Sequence, residues 1–373
     1  MKTSVVLVAA GKGERLGLGI PKAEAKVAGL SLLEHALLQV AKFQPSQLVV
    51  VCPVGAEGTY LNQAKSTGIS DVQVIAGGAT RQQSVSKGLA LVSSDLVLIH
   101  DAARAFMPSS VFSSVSAALA DSECVIPVLQ ISDTLKQVAG DKVKGTIDRS
   151  SVVKSQTPQG FRVSSLREAM SAATEDFTDE AALMEAHGFD VSTVAGSESG
   201  LKVTTPADLD WAQLRFGNAR TGIGTDAHRF SDAGQLTLGC LSWQELPALE
   251  GHSDGDSIAH AIVDALLGAA GLGDIGSNFG VDRPEYSGAS GDVFIKGALD
   301  QVHQSGYSVT NVSVQVIADK PKIGPRRAEL EERLSGLVGA PVSVAATTTD
   351  GLGFLADARG VAAVATALLR ERS

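Results

Sequence analysis

SVVLVAAGKGERLGLGIPK, residues 4–22, decides the fold class of the chain. Its first seven residues are mostly apolar and β-branched, short enough for a buried parallel strand, and they run straight into a loop with glycines at 11, 13, 17 and 19. Such glycines let the backbone approach a ligand closely and turn its N–H groups towards it. Lys12, Arg15 and Lys22 bring three cations into eleven residues of a chain whose formal net charge is −10. A strand ending in this loop suits a polyphosphate; the alternative is a plain glycine-rich turn. The dinucleotide fingerprint fits poorly, because the third glycine falls one position late and Leu16 stands where close helix packing wants Gly or Ala. A P-loop is excluded, since no Gly-Lys-Ser/Thr follows at the required spacing.

Outward from the loop, strand and helix patterns alternate: a helix over 32–42, a strand over 48–52, a helix over 57–66 and a strand over 72–75. That rhythm predicts a doubly wound α/β sheet, in which ligands bind beyond the carboxyl ends of the strands. GGATRQQSV (77–85) places Gly77, Gly78, Arg81 and Ser84 at such an end, opening a helix whose N-terminus can receive an anion or a base edge. A strand over 95–99 then ends in HDAARAF (100–106). Asp101 is placed there to hold Mg²⁺ or a ribose and Arg104 to meet phosphate, unless the two simply pair to close a loop. Beyond a strand over 123–127, residues 131–156 read as a projecting hairpin arm with its turn at 139–141. Lys202 stands at a strand end ahead of a helix opened by Pro206.

These motifs, with TPQGF (157–161), FTDEAALME (177–185) and KVTTPADLDWA (202–212), resemble in order and over residues 2–216 the 2-C-methyl-D-erythritol 4-phosphate cytidylyltransferases, which activate a small phosphorylated alcohol with CTP. The resemblance implies that Arg15 and Lys22 stabilise charge on the α-phosphate. It implies that Gly11, Gly13, Ser84, Asp101, Arg104 and Thr157 bind substrate with Mg²⁺. It gives Arg149, on the arm, and Lys202 the task of positioning methylerythritol phosphate, the arm crossing to a partner subunit.

RFGNARTG (215–222) breaks the last helix and joins the second half without a flexible tether. There the organising stretches are TDAHRF (225–230) and GHSDGDSIAHAIVDALLGAAGLGDIG (251–276). Asp226 and His228, two apart on a strand, face one side. On the helix that follows, Asp256, His260 and Asp264 recur every four residues on one face, with Ile258, Ile262, Ala265 and Ala269 predicted opposite. Two His with a carboxylate form a common catalytic Zn²⁺ shell that leaves a fourth position open. The absence of His-Glu-x-x-His argues against a zincin protease.

This half resembles the 2-C-methyl-D-erythritol 2,4-cyclodiphosphate synthases across its length. The resemblance implies that Asp226, His228 and His260 bind the metal and that His252 and Thr348 assist the chemistry. Within ATTTDGLGF (346–354), Thr347, Thr349, Asp350 and Phe354 would then contact substrate, as would Ser253, and Asp274, Ile275 and Gly276 would form a diol-binding turn. It implies Zn²⁺ in the site and a separate Mg²⁺ on the substrate diphosphate. Phe279-Gly280-Val281-Asp282-Arg283 departs from the usual Phe-Pro-Asp-Thr-Asp. Asp357 stands where the family has arginine, two residues before Arg359, so the family role is assigned to neither.

The 373 residues, 44% hydrophobic and 19% charged, are enough for two well-packed domains. The acidic balance argues against nucleic acid, and no apolar run reaches membrane-spanning length. Cys52, Cys124 and Cys240 lie far apart, which fits a reduced, cytoplasmic setting without disulfides. The expected architecture is a doubly wound, Rossmann-like nucleotidyltransferase domain with a β-arm over residues 1–217, followed by an α+β cyclodiphosphate synthase domain over residues 220–373. Its expected partners are small-molecule substrates and further copies of itself, through dimer and trimer contacts that combine up to a hexamer. Two rival readings stand beside it: activation of a different alcohol or base by the first half, and a non-catalytic, zinc-stabilised assembly domain in the second.

Overall fold

The structure, a computed structural model, describes all residues except Met1, Glu245, His252, 281–285, Ser287, 354–358 and Ser373. The chain divides into two compact units at the step from Phe216 to Gly217. The first unit runs β1 (Thr3–Val8), β2 (Lys26–Val27), β3 (Leu30–Ser31), α1 (Leu32–Phe43), β4 (Gln47–Cys52), α2 (Glu57–Lys65), β5 (Val72–Ala76), α3 (Arg81–Ala90), β6 (Leu96–Asp101), α4 (Ser109–Ala118) and β7 (Cys124–Gln130). It continues with β8 (Leu135–Ala139), β9 (Lys142–Ile147), β10 (Val153–Ser155), β11 (Gln159–Arg162), α5 (Val163–Ala172), α6 (Glu180–Ala186), β12 (Val191–Ala195) and α7 (Pro206–Phe216).

β1 lies at the centre of the main sheet, parallel to β4 on one side and β6 on the other. The sheet order is β10-β7-β11-β6-β1-β4-β5, with β12 beside β7. Successive residues of β1 serve opposite cores. Val5 and Leu7 pack with Leu33, Leu37, Tyr60 and Phe112 of α1, α2 and α4, while Val6 packs with Val85, Leu166 and Met184 of α3, α5 and α6. A central parallel strand covered on both faces needs apolar residues at every position, which is why residues 5–8 do not alternate with polar ones. β8 and β9 form the hairpin arm, turning at Gly140, with Val138 and Val143 exposed.

The second unit comprises β13 (Ala219–Arg229), β14 (Leu236–Leu238), β15 (Leu241–Trp243), α8 (Ser257–Ala270), α9 (Ile275–Phe279), α10 (Gly291–Gln304), β16 (Tyr307–Ile317), α11 (Arg327–Val338), β17 (Val342–Thr347) and β18 (Gly360–Glu371). Its sheet runs β13-β18-β16-β17, and β14 and β15 pair as a separate hairpin. α8 lies directly on β13, which is possible because Gly222 and Gly224 present no side chain to it: a Cβ on Gly224 would stand 2.5 Å from the backbone nitrogen of Ala265.

The two-faced helix expected here is not what forms. Every residue of α8 except Asp264 and Gly268 is buried, because strand, hairpin and α10 enclose it. Asp256 is not on its face at all; it is the N-cap, accepting from the N–H groups of Ile258 and Ala259. A spacing of four cannot tell a cap from a face.

Candidate active sites

In the first unit, the ends of β1 and β6, the 11–22 loop and the start of α3 enclose a cavity of about 510 Å³. The loop closes on itself at Gly13, whose φ of 76° and contact with the Lys22 backbone leave no room for a side chain; Lys22 N–H also bonds Gly11 O at 3.2 Å. Of the residues singled out in the sequence, Gly11, Lys12, Gly13, Arg15, Lys22, Gly78, Arg81, Ser84, Asp101 and Lys202 line this cavity, joined by Thr204.

Asp101 is the electrostatic hub. One carboxylate oxygen takes Arg81 Nε at 3.1 Å and the other takes Lys202 Nζ at 2.7 Å. Burial alone would raise its pKa, but Arg81 and Lys202 outweigh that and hold it far below the usual carboxylate range. Arg81 in turn donates through Nη1 to both oxygens of the buried Glu180, at 2.8 and 2.9 Å. Burial and the neighbouring charge of Lys202 lower Lys22 to about 8. Its ammonium reaches Thr204 Oγ1 at 3.2 Å.

Three expected site residues lie elsewhere. Arg104 neither pairs with Asp101 nor lines the cavity; it donates to the carbonyls of Gly200 and Ser155, at 2.8 and 3.1 Å, and ties the end of β10 to the turn at Gly200. Thr157 is buried, its hydroxyl accepting from Asp101 N–H at 3.1 Å and lying 3.0 Å from His100 Nδ1. Arg149 stands exposed in a helical turn after the arm, donating to the Ser132 carbonyl. Ser84 spends its hydroxyl inside its own loop, donating to Thr80 O and accepting from Gly78 N–H. Glu180 was missed by sequence reasoning: it lies in the quoted 177–185 motif, but nothing there signals a bond to a residue 99 positions away.

In the second unit, Asp226 and His228 project from one face of β13 and His260 from the first turn of α8. Asp226 Oδ2 lies 2.9 Å from His228 Nε2 and 3.0 Å from His260 Nδ1, and one ligand atom from each residue falls within 4.8 Å of the others. Hydrogen bonds from the two imidazoles overcome burial and hold Asp226 at about 2, while the bond to Asp226 raises His228. Two imidazole nitrogens and a carboxylate oxygen converging from rigid elements are a donor set that fits a divalent metal. On the far side of its ring, His260 Nε2 meets Ser253 Oγ at 3.1 Å.

Asp264 does not join this group; its Oδ1 accepts from Ile275 N–H at 2.7 Å and so anchors the Asp274–Ile275–Gly276 turn that opens α9. Asp274 caps that helix through Ser277 N–H. Thr347 ends β17, Thr348 donates to Asp350 at 2.7 Å, and Thr349 Oγ1 is buried without a hydrogen-bond partner among the described residues. His252, Phe354 and Asp357 lie outside the described residues.

Residues 3–217 match the model of the 2-C-methyl-D-erythritol 4-phosphate cytidylyltransferase family (IspD), and residues 219–370 that of the YgbB family. The chain is 46% identical to the bifunctional enzyme IspD/IspF of Clavibacter michiganensis, over 99% of this chain and 95% of the relative. It is 38% identical to the bifunctional enzyme IspD/IspF of Rhodopseudomonas palustris, over 99% and 96%. Among solved structures, 4-diphosphocytidyl-2C-methyl-D-erythritolsynthase from Anaerococcus prevotii is similar with a TM-score of 0.51 and 27% identity, covering 57% of this chain and 97% of that one. With each half matched by a family model and the full length by bifunctional relatives, the chain belongs to the IspD/IspF family of bifunctional isoprenoid-precursor enzymes, a cytidylyltransferase followed by a cyclodiphosphate synthase.

Proposed function

We propose that the cavity of the first unit is where the phosphate of methylerythritol 4-phosphate attacks the α-phosphorus of CTP, forming CDP-methylerythritol and expelling pyrophosphate. The observation that carries this assignment is the convergence of Lys12, Arg15, Lys22, Arg81 and Lys202 on one cavity of an acidic chain. Phosphoryl chemistry of this kind depends on positioning and charge neutralisation. The backbone of Gly11 and Gly13 cradles the triphosphate, Arg15 and Lys22 neutralise the α-phosphate, and Ser84 with the start of α3 faces the base. Lys202 and Arg149 hold the phosphate of the acceptor. Asp101 would hold Mg²⁺ by exchanging one of its two cationic partners for the ion; Thr157 and Arg104 serve this site by fixing the backbone around it.

In the second unit an oxygen of the substrate's 2-phosphate attacks the β-phosphorus of its CDP group, closing the cyclodiphosphate and releasing CMP. Asp226, His228 and His260 would hold Zn²⁺, and a Mg²⁺ would travel with the diphosphate; bound there, these ions polarise and neutralise phosphate oxygens. Ser253 and the Thr347–Asp350 segment orient the diphosphate, with His252, Thr348 and Phe354 in the roles their family counterparts suggest, and the 274–276 turn takes the diol. The exposed Val138 and Val143 support an arm that docks on a second copy, and so a homo-oligomer, dimeric through the arm and trimeric through the second unit. Among the described residues no helix is long and apolar enough to cross a membrane, and we place both activities in the cytoplasm.

Mass spectrometry of each product tests the assignment. Lys22→Gln should slow pyrophosphate release by roughly 10²-fold, as loss of a charge-stabilising donor does, while sparing CMP release. His260→Ala should do the reverse. Retention of both activities in either variant would remove that site from the reading.

A further inference from the structure

The loop before α8 holds a carboxylate that none of the chemistry above uses. Asp256 is completely buried. Its Oδ1 accepts from the N–H groups of Ile258 and Ala259, each at 3.1 Å, and of Gly239 at 2.8 Å; its Oδ2 accepts from Cys240 N–H at 2.6 Å. A helix cap needs only the first two of these. The other two come from the turn between β14 and β15, where Cys240 takes a φ of 57°, uncommon for a residue with a side chain, and in that conformation its N–H reaches Asp256. One side chain thus clasps the hairpin to the helix.

The same residue controls the surroundings of His260. Its carbonyl accepts from His260 N–H at 3.0 Å. Its own N–H is held by Asp254 Oδ1 at 3.2 Å, and Asp254 Oδ2 takes Gly291 N–H at 2.8 Å where α10 begins. The loop fixed in this way ends in Ser253, whose hydroxyl meets His260 Nε2. Phe294 of α10 packs edge-on against the His260 ring, the centroids 5.6 Å apart.

We infer that Asp256 is a positioning residue for the metal centre: acting through residues 253–256 and the first turn of α8, it sets the His260 ring so that Nδ1 faces Asp226 while Nε2 is held by Ser253. This rests on the reading of Asp226, His228 and His260 as metal ligands. Groups that orient a ligating histidine from behind change metal affinity by about 10–100-fold when removed.

The full-length protein carrying Asp256→Asn tests it, because the amide keeps the shape but turns an N–H₂ towards N–H donors. Zinc affinity is read by competition with a chromophoric chelator, and ring geometry by the visible absorption of the Co²⁺-substituted protein. The expected result is a zinc Kd weakened by about 10–100-fold with an altered Co²⁺ band. Leu334→Ala, a core truncation in α11, should lower the unfolding temperature and leave the zinc Kd unchanged. Should the Asn variant fail to fold, Asp256→Ser decides instead, since serine retains the cap but is too short for the hairpin. An Asp256 variant that merely melts earlier, with wild-type zinc affinity and Co²⁺ spectrum, overturns the inference. If the unaltered protein binds no more zinc than His260→Ala, the metal reading itself falls, and this inference with it.

Discussion

Substituting Gly224 by alanine adds one methyl group to a place where none fits. The new Cβ would lie 2.5 Å from Ala265 N and 2.7 Å from the Cβ of Asp264, with the Ala261 carbonyl oxygen nearer still. Most of these are backbone atoms of α8, which cannot rotate aside, so helix and strand must separate by close to an ångström. Forced overpacking of this kind costs about 1–3 kcal/mol. For a unit of this size each kcal/mol lowers the melting temperature by about 2–4 °C, so a fall of roughly 2–12 °C is expected. Because Ala261 adjoins His260, the same displacement pulls one imidazole away from Asp226 and His228, and zinc affinity should drop alongside stability. Gly268→Ala on the same helix is the counter-experiment. Its Cβ would meet nothing closer than Ile223 O at 3.9 Å, and alanine in a helix gains about 0.5–1 kcal/mol over glycine. Trp243 lies in the second unit and Trp211 in the first, so in a Trp211→Phe background the emission of Trp243 follows thermal unfolding of this unit alone. A Gly224→Ala protein that melts within a degree of its parent and binds zinc equally well, or a Gly268→Ala protein that loses comparable stability, would refute the reasoning.

Two further outcomes depend on pH. Lys22, lowered to about 8, carries its charge below that pH and loses it above. Affinity for CTP, measured calorimetrically with Mg²⁺ present, should therefore weaken by up to about tenfold between pH 7 and 9, and Lys22→Arg should flatten the decline; identical profiles would exclude Lys22 as the titrating group. Burial lowers His100 to about 4, so the folded state resists its protonation while the unfolded chain takes up a proton near 6.5. Stability from this residue is complete above pH 6.5 and is lost as pH falls towards 4, by about 3 kcal/mol in all. Urea titrations at pH 7 and 4.5 should show a smaller acid penalty for His100→Asn, whose amide can either accept from or donate to the Thr157 hydroxyl; an equal penalty would assign the acid sensitivity elsewhere.

The strands were readable because a parallel sheet covered on both sides leaves continuous apolar runs, as at 48–51, and the convergence of Asp226, His228 and His260 because a two-residue strand period and a helix start bring together few histidines. What stayed hidden were bonds between distant segments. Arg104 has the look of a phosphate ligand in HDAAR, yet its partners are carbonyls 51 and 96 residues away. Arg81 is visible as a charge at a helix start, but its grip on Glu180 exists only once α3 and α6 pack on one face of the sheet. Asp256 shares a four-residue spacing with His260 and Asp264, and only burial against the β14–β15 turn shows that the three carry different tasks.

The first cavity comes with its own counter-ions. Lys202 and Arg81 are already engaged by Asp101 and Glu180, so a phosphate group that reached these two cations would swap partners with resident carboxylates. Small anions such as chloride gain little from that trade, because one charge does not offset the separation of these part-buried ion pairs. A ligand bearing several charges at fixed spacing can, and the resting site thereby favours polyanions by the number and geometry of their charges.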